Sequence, residues 1–301
     1  MTSDVASLPI AEAAERRGLR WPRIRLHVFL ILCAVLWLAP VVWTLYTSLR
    51  PYSATAEHGY VSIGGPFNFE NYSKAWQQAD MLHFFLNSLL ITVPALVITL
   101  FFASCVAFVV TKLSWRFNVV LLIVFVAANL LPQQVILTPL YRMYLEIPLP
   151  TWLSENGKMY DSFVGLIAIH VAFQVGFCTF VLSNYMKTIP STLNDAARVD
   201  GAGVARQFFG IILPLCRPAL AALATLEFTW IYNDFLWAVV LIQSGDKRPI
   251  TSALAQLQGQ FFTDYNLLAA GAMLAALPTL IVFALLQRHF ISGLTLGASK
   301  G

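Results

Sequence analysis

The chain alternates long apolar runs with shorter polar loops, and six of the runs are long enough to cross a bilayer. A transmembrane helix needs about 20 predominantly apolar residues. Runs of this kind predict spans at residues 26–49, 85–110, 119–141, 163–186, 218–242 and 268–288. The pattern therefore predicts an all-α membrane protein with six transmembrane helices.

The apolar runs also divide the chain into parts. We expect an N-terminal lead, a first transmembrane helix, an aromatic external loop, a five-helix core and a tail, at residues 1–25, 26–49, 50–84, 85–290 and 291–301. The first span could instead be a secretory signal peptide. It is longer than a typical signal h-region, so we interpret it as a retained anchor, although a small-x-small pattern follows at residues 54–56.

The amino-acid composition also indicates a membrane protein. Hydrophobic residues make up 58% of the chain, charged residues only 11%, and the mean hydropathy is +0.70. Soluble proteins carry about 25% charged residues, so a disordered chain and an ordinary soluble enzyme are excluded. The net charge of +4 is scattered, and no basic stripe indicates a nucleic-acid partner.

The distribution of lysine and arginine predicts the orientation, because cytoplasmic loops carry an excess of both. One side of the predicted spans holds the N-terminus, loops 111–118 and 187–217 and the C-terminus, with 13 of the 19 basic residues. The other side holds 6. The richer side is expected to be cytoplasmic, which places both termini inside the cell.

The loop at 190–218, "PSTLNDAARVDGAGVARQFFGIILPLCRP", is the most informative stretch. Its pattern predicts a short helix, a turn centred on Gly201, and a second helix that runs into the membrane. Ser191 or Thr192 would cap the first helix, with Asp195 as the capping-box partner. From the residues alone, a plain amphipathic connector is an equally good interpretation.

The same loop resembles the EAA loop of permease subunits of ATP-binding-cassette (ABC) importers. That motif reads E-A-A, a glycine, nine residues and then I-x-L-P. The positions that match, including a common D-G-A form, are Ala196, Ala197, Asp200, Gly201, Ala202, Ile211, Leu213 and Pro214. Asp195 stands where the family usually has glutamate, which keeps the charge on a shorter side chain.

Further segments resemble one branch of this family. "NFENYSKAW" followed by "FLNSLLIT" is similar to the start of its transport core. "LPQQVILTPLY", "YNDFLWAVVL" and "GLTLGASKG" are similar to the smaller permease subunit of carbohydrate importers, typified by the maltose importer. The resemblance covers roughly residues 20–301 and implies a type I ABC importer permease fold.

The resemblance also implies a division of labour between chains. The short loop helix would dock on a cytoplasmic ABC ATPase dimer, with Arg198 and Arg206 as salt-bridge candidates at its rim. A second, homologous permease and an extracytoplasmic solute-binding protein would complete the importer in the membrane lipid. The substrate would be a sugar. ATP and Mg²⁺ would bind the ATPase, so no cofactor is expected in this chain.

Catalytic motifs are missing from the sequence. The Gly-Lys pair at residues 157–158 lacks the preceding glycine of a phosphate-binding loop, so the chain cannot bind ATP in that way. H-E-x-x-H does not occur, and the G-x-S-x-G spacing appears only in "GASKG" at residues 297–301, without the apolar strand pattern that precedes a nucleophile elbow. The cysteines are dispersed and indicate no metal site. A transporter subunit is therefore a better interpretation than an enzyme.

Polar side chains inside the predicted spans are candidates for the translocation path, because such residues usually face a protein interior or an aqueous cavity. Glu227 and Asp234 are seven residues apart and would share a helix face near Trp237. The full candidate set is Asn129, Gln133, His170, Gln174, Glu227, Trp230, Asn233 and Asp234. Alternatively, Glu227 is protonated or pairs with another subunit, and His170 is an interhelical hydrogen-bond donor.

Three other functions remain open at this stage. The importer could carry a polyol or glycerol phosphate, although no lysine or arginine lies well inside a span to favour a phosphate. A stand-alone ion-coupled carrier could use Glu227 and Asp234, but the inverted repeat that would support it is not visible. A scaffold without transport would not need the glycine-centred loop.

Overall fold

The computed structural model describes residues 20–113, 116–129, 132–257 and 263–295. The predicted lead and tail therefore lie mostly outside the described residues. Within that part of the chain the secondary structure is helical, with one isolated antiparallel bridge between Pro148 and Lys158. The helices are, in chain order, α1 Arg20–Leu49, α2 Tyr52–His58, α3 Glu70–Gln78, α4 Met81–Lys112, α5 Asn118–Asn129, α6 Leu137–Glu146, α7 Phe163–Lys187, α8 Ser191–Val199, α9 Val204–Gln207, α10 Leu213–Leu215, α11 Arg217–Tyr232, α12 Leu236–Leu241, α13 Ile250–Ala253 and α14 Tyr265–Thr295.

Four helices of the described chain, α1, α4, α7 and α14, are long and apolar enough to cross a membrane. They correspond to the first, second, fourth and sixth predicted spans. A fifth crossing is possible if Val204–Leu215 and Arg217–Tyr232, which meet at 73°, form one bent span. The described residues thus contain four or five membrane crossings of this kind. The total of six transmembrane helices and the cytoplasmic location of both termini remain predictions.

The third predicted span, 119–141, is not one continuous helix. α5 has 12 residues, about 18 Å of helix, which is too short for the hydrocarbon core. The chain then passes Pro132 in an extended conformation, makes a 3₁₀ turn at Gln133–Ile136 and continues as α6. Proline lacks an N–H and restricts the preceding residue, which explains the break. Pro94, by contrast, lies within the continuous helix α4.

The fifth predicted span, 218–242, is also interrupted. α11 ends at Tyr232, where the Asn233 side chain donates to the Thr229 carbonyl at 2.8 Å. The Asp234 carboxylate accepts from the N–H groups of Trp237 and Ala238 at 3.4 and 3.2 Å, at the start of α12. These side chains satisfy the backbone groups that a helix end exposes. Glu227 and Asp234 therefore do not share one helix face, as the sequence had predicted.

The C-terminal end of α1 is fixed by two buried asparagines. Asn71 donates to the carbonyls of Ser48 and Arg50 at 2.9 and 2.8 Å. Asn266, at the start of α14, donates to the carbonyls of Thr47 and Arg50 at 3.0 and 3.1 Å. The predicted external loop 50–84 thus contains two short helices, α2 and α3, and is tied to the ends of two long helices.

Close packing of α5 on α7 depends on Gly176. A Cβ atom at this position would collide with the Phe125 carbonyl and the Asn129 side chain of α5. The Phe125 carbonyl is backbone and cannot rotate away. Gly176 is therefore the residue that lets α5, which is too short to span alone, lie against the long helix α7.

We expect Gly176→Ala to destabilise the chain, because overpacking of this kind costs about 1–3 kcal/mol. The thermal unfolding temperature of the purified protein in detergent measures the effect. Gly245→Ala is the matched control, since a Cβ at Gly245 meets nothing within 4 Å. Equal unfolding temperatures for the two variants would contradict the packing role of Gly176.

Candidate functional site

The loop 190–218 begins with α8 and ends that helix in a glycine turn. Gly201 has φ +76°, in the left-handed region. The N–H of Gly201 donates to the Arg198 carbonyl at 3.0 Å, and the N–H of Ala202 donates to the Ala197 carbonyl at 2.8 Å. This pair of bonds is the Schellman arrangement, which needs a left-handed residue after the helix. The predicted helix and glycine turn are therefore present.

The start of α8 differs from the prediction. The helix begins at Ser191, directly after Pro190, and no side chain caps it. Neither Ser191 nor Thr192 forms a capping box with Asp195. Pro190 explains this, because it occupies the N-cap position and its ring carries no hydrogen-bond acceptor for the N–H groups of the first turn.

The ten candidate coupling residues of the EAA-like loop divide into two groups by burial. The exposed group is Asp195, Ala196, Arg198, Asp200 and Gly201, and the group that is buried or half-buried is Ala197, Ala202, Ile211, Leu213 and Pro214. Ile211 and Leu213 pack against the cluster formed by α4, α7 and α11. The first group therefore faces away from this chain, and the second holds the loop on the membrane core.

The exposed face of the loop is suited to contact with another protein. Four of its charged residues, Asp195, Arg198, Asp200 and Arg206, form no salt bridge within the described part of the chain. Exposed apolar side chains that the sequence argument missed lie on the same loop, namely Leu193, Val199, Val204 and Phe209. Exposed apolar side chains rimmed by polar or charged residues are typical of protein–protein contact surfaces.

A second site is a cavity of about 340 Å³ between α5, α7, α11 and α12. Six of the eight candidates for the translocation path line it: Asn129, Gln133, His170, Gln174, Trp230 and Asp234. Phe173 and Trp237 complete the lining. The interruptions at Pro132 and Asn233 produce this arrangement, because they place the polar ends of short helices within the membrane core.

The cavity combines aromatic faces with hydrogen-bonding groups. The rings of Phe173 and Trp237 stack with centroids 5.5 Å apart. The Nε2 atom of His170 lies 3.8 Å from the Asp234 carboxylate. Among the described residues, neither lysine nor arginine lines the cavity. Amides, an acid and aromatic faces suit a ligand that carries hydroxyl groups and apolar faces.

The other two candidates lie elsewhere. Glu227 is fully buried, with 0% exposure, and its carboxylate accepts from the Cys178 thiol of α7 at 3.1 Å. It is absent from the cavity wall, so the structure places it at the contact of α7 with α11. Asn233 caps α11 instead of lining the cavity. Phe173 is the cavity residue that the sequence argument missed, because an aromatic side chain in an apolar run gives no signal.

We expect Glu227→Gln to lower uptake or the yield of the assembled complex. The second carboxylate oxygen has no partner in the described chain, so the variant places two N–H donors where no acceptor faces them. Uptake and complex yield are the measurements. Glu70→Gln, which changes an exposed acid, is the control. Normal uptake and normal complex yield for both variants would show that the Glu227 carboxylate is not needed for transport or assembly.

Comparison with known proteins decides the family. The model of the family described as "Binding-protein-dependent transport system inner membrane component" matches residues 73–295. The chain belongs to this family. It is therefore a permease subunit of a binding-protein-dependent ABC importer, an integral membrane protein without catalytic activity of its own. The match includes both the loop 190–218 and all residues that line the cavity.

Curated relatives and a solved structure agree with this family assignment. The permease is 31% identical over 287 residues to the osmoprotective compounds uptake permease protein GgtD of Synechocystis sp., covering 93% of each chain. It is 30% identical over 235 residues to the melibiose/raffinose/stachyose import permease protein MelC of Bacillus subtilis, covering 78% of this chain and 82% of MelC. A bacterial ABC transporter for import of the acidic polysaccharide alginate shares the fold, with TM-score 0.75, 20% identity and 91% and 98% coverage.

Proposed function

We propose that this permease moves a sugar or oligosaccharide across the cytoplasmic membrane into the cell. The observation that carries the proposal is the cavity, with stacked aromatic rings, amide groups and one carboxylate around about 340 Å³. Sugars bind through their hydroxyl groups and their apolar ring faces, which this lining matches. The names of the relatives support it, since MelC is described as importing melibiose, raffinose and stachyose.

Other solutes fit the cavity less well. A glycerol phosphate would favour a cationic side chain to pair with the phosphate, and none lines the cavity in the described residues. A polyol shares the hydroxyl chemistry of a sugar and is the second candidate. An ion-coupled carrier would use Glu227 and Asp234 together, but only Asp234 lines the cavity.

The energy for transport would come from a partner chain. In this proposal, α8 and the turn at Gly201 dock on a cytoplasmic ABC ATPase dimer, which binds ATP and Mg²⁺. The exposed charges and apolar side chains of the loop support this contact. The proposed assembly contains a second, homologous permease and an extracytoplasmic solute-binding protein as well.

Uptake by the reconstituted complex tests the sugar assignment. The complex would be placed in proteoliposomes with ATP inside and its solute-binding protein outside. We expect ATP-dependent uptake of a labelled compound from a panel of di- and trisaccharides. Uptake of glycerol phosphate with none of the sugars would overturn the sugar assignment and leave the importer assignment intact.

A further inference from the structure

Residues 147–161, here called the outer hairpin, fold into a defined structure between α6 and α7. The Leu149 N–H donates to the Gly157 carbonyl at 2.8 Å, and the Met159 N–H donates to the Ile147 carbonyl at 3.0 Å. At the tip, the N–H groups of Leu153 and Ser154 donate to the Pro150 carbonyl. The outer hairpin is therefore an ordered element with a turn of its own.

The outer hairpin is also fastened to the segment that follows α12. The Asp161 N–H donates to the Leu241 carbonyl at 2.9 Å, and the Asp161 carboxylate accepts from the N–H groups of Gln243 and Ser244, each at 2.9 Å. Asp161 has φ +56°, a strained conformation for a residue other than glycine, which these bonds hold in place.

An ion pair adds to this attachment. The Lys247 ammonium donates to the Glu155 carboxylate at 2.7 Å, and this bond raises the pKa of Lys247 above its ordinary value. The attachment matters for the cavity as well. Leu241 ends α12, the short helix that carries Trp237 into the cavity wall. A protein bound at the outer hairpin would therefore act one short helix away from the proposed sugar path.

The tip of the outer hairpin presents a tryptophan to its surroundings. Trp152 is 81% exposed, although its backbone is fixed by the hydrogen bonds of the hairpin. A large aromatic side chain displayed on an ordered loop loses little conformational entropy when it is buried by a partner. Exposed tryptophans of this kind are typical centres of protein interfaces.

We propose that Trp152 is an anchor contact for the extracytoplasmic solute-binding protein. The inference rests on the proposed function, which places the outer hairpin on the external side. The bonds from the outer hairpin to α12 would connect this contact with the cavity. A solved bacterial alginate ABC transporter, 17% identical with TM-score 0.65, was captured with its ligand-bound periplasmic protein, so the shared fold has been seen with such a partner.

The surroundings of Trp152 favour a protein in water over the lipid interface. Thr151, Glu155, Asn156 and Lys158 are exposed on the same hairpin. A tryptophan at the lipid interface usually belongs to a belt of aromatic side chains at the headgroup level, whereas Trp152 is the single aromatic residue of this tip, with Leu153 beside it 36% exposed. A water-facing tip that carries one tryptophan matches a partner with an apolar pocket and a polar rim.

Trp152→Ala in the reconstituted complex tests the proposal. The ATPase rate would be measured against the concentration of the solute-binding protein that co-purifies with the native complex. We expect the half-maximal concentration to rise at least about tenfold, as for an interface centre, with the basal rate unchanged. Trp152→Phe should recover most of the loss.

Trp37→Ala is the matched control, because Trp37 is 82% exposed but lies on α1, about 18 Å from its outer end. An unchanged half-maximal concentration for Trp152→Ala would overturn the proposal. The indole would then contact lipid, or it would have no contact at all. Loss of the second permease from the Trp152→Ala complex would also overturn it, in favour of a contact between permeases. Absence of any stimulation with the native chain would instead refute the proposed function.

Discussion

Gly201→Asp is expected to abolish ATP-driven uptake while leaving the permease in the membrane. Gly201 closes α8 with φ +76° and lies on the exposed face of the loop. A carboxylate there would add a bulky charge beside Asp200 on a face that is proposed to enter a groove of the ATPase. A desolvated, unpaired charge at an interface is costly. Uptake in proteoliposomes and the quantity of permease in the membrane are the measurements.

The control variants separate backbone strain from charge. Asparagine has nearly the shape of aspartate and tolerates the left-handed region, so Gly201→Asn is expected to retain much more uptake than Gly201→Asp. Gly203→Ala, where φ is −65° and a Cβ meets nothing within 4 Å, should transport normally. Normal uptake by Gly201→Asp would refute the docking of this turn on the ATPase.

Trp230→Ala is expected to reduce sugar uptake by about tenfold or more without loss of assembly. The indole lines the cavity and is 48% exposed, so its removal leaves little void in the protein. Stacking of a sugar face on an aromatic ring would be lost, and a loss of 1.4 kcal/mol corresponds to tenfold. Initial rates of uptake against sugar-loaded binding protein, with complex yield beside them, measure the effect.

Two comparison variants test this prediction. One keeps an aromatic ring at the same position, and the other removes an indole elsewhere in the chain. Trp230→Phe preserves an aromatic face and should transport at a substantial fraction of the native rate. Trp43→Ala removes an indole of similar exposure, 39%, from α1, outside the cavity, and should have little effect. Equal uptake by Trp230→Ala and the native chain would remove Trp230 from the translocation path.

The sequence predicted those elements that a long apolar run determines by itself. Four long helices lie where hydropathy placed them. The breaks in the third and fifth predicted spans do not appear in a hydropathy window of about 20 residues, because such a window averages over short polar interruptions. Pro132 breaks one span, and Asn233 with Asp234 breaks the other by satisfying the exposed backbone groups of two helix ends.

The candidate site residues could also be predicted only in part, because local sequence does not show where a helix ends. Six of the eight residues chosen from the apolar runs meet in one cavity, and their role in translocation stays a prediction. Glu227 was grouped with Asp234 on the assumption of one straight helix, and that grouping fails where the helix ends. The glycine turn was predictable because few residues adopt positive φ. The exposed Leu193 and Trp152 were not singled out, because their exposure depends on tertiary packing.

Co-purification from the native host in mild detergent tests the central claim most directly. The tagged permease and its Gly201→Asp variant would be isolated in parallel and their partners identified by mass spectrometry. We predict that an ABC ATPase and a second permease accompany the native chain, and that the variant loses the ATPase alone. If the native chain is isolated without either partner in several detergents, the account of this protein as an ATP-driven importer subunit is contradicted.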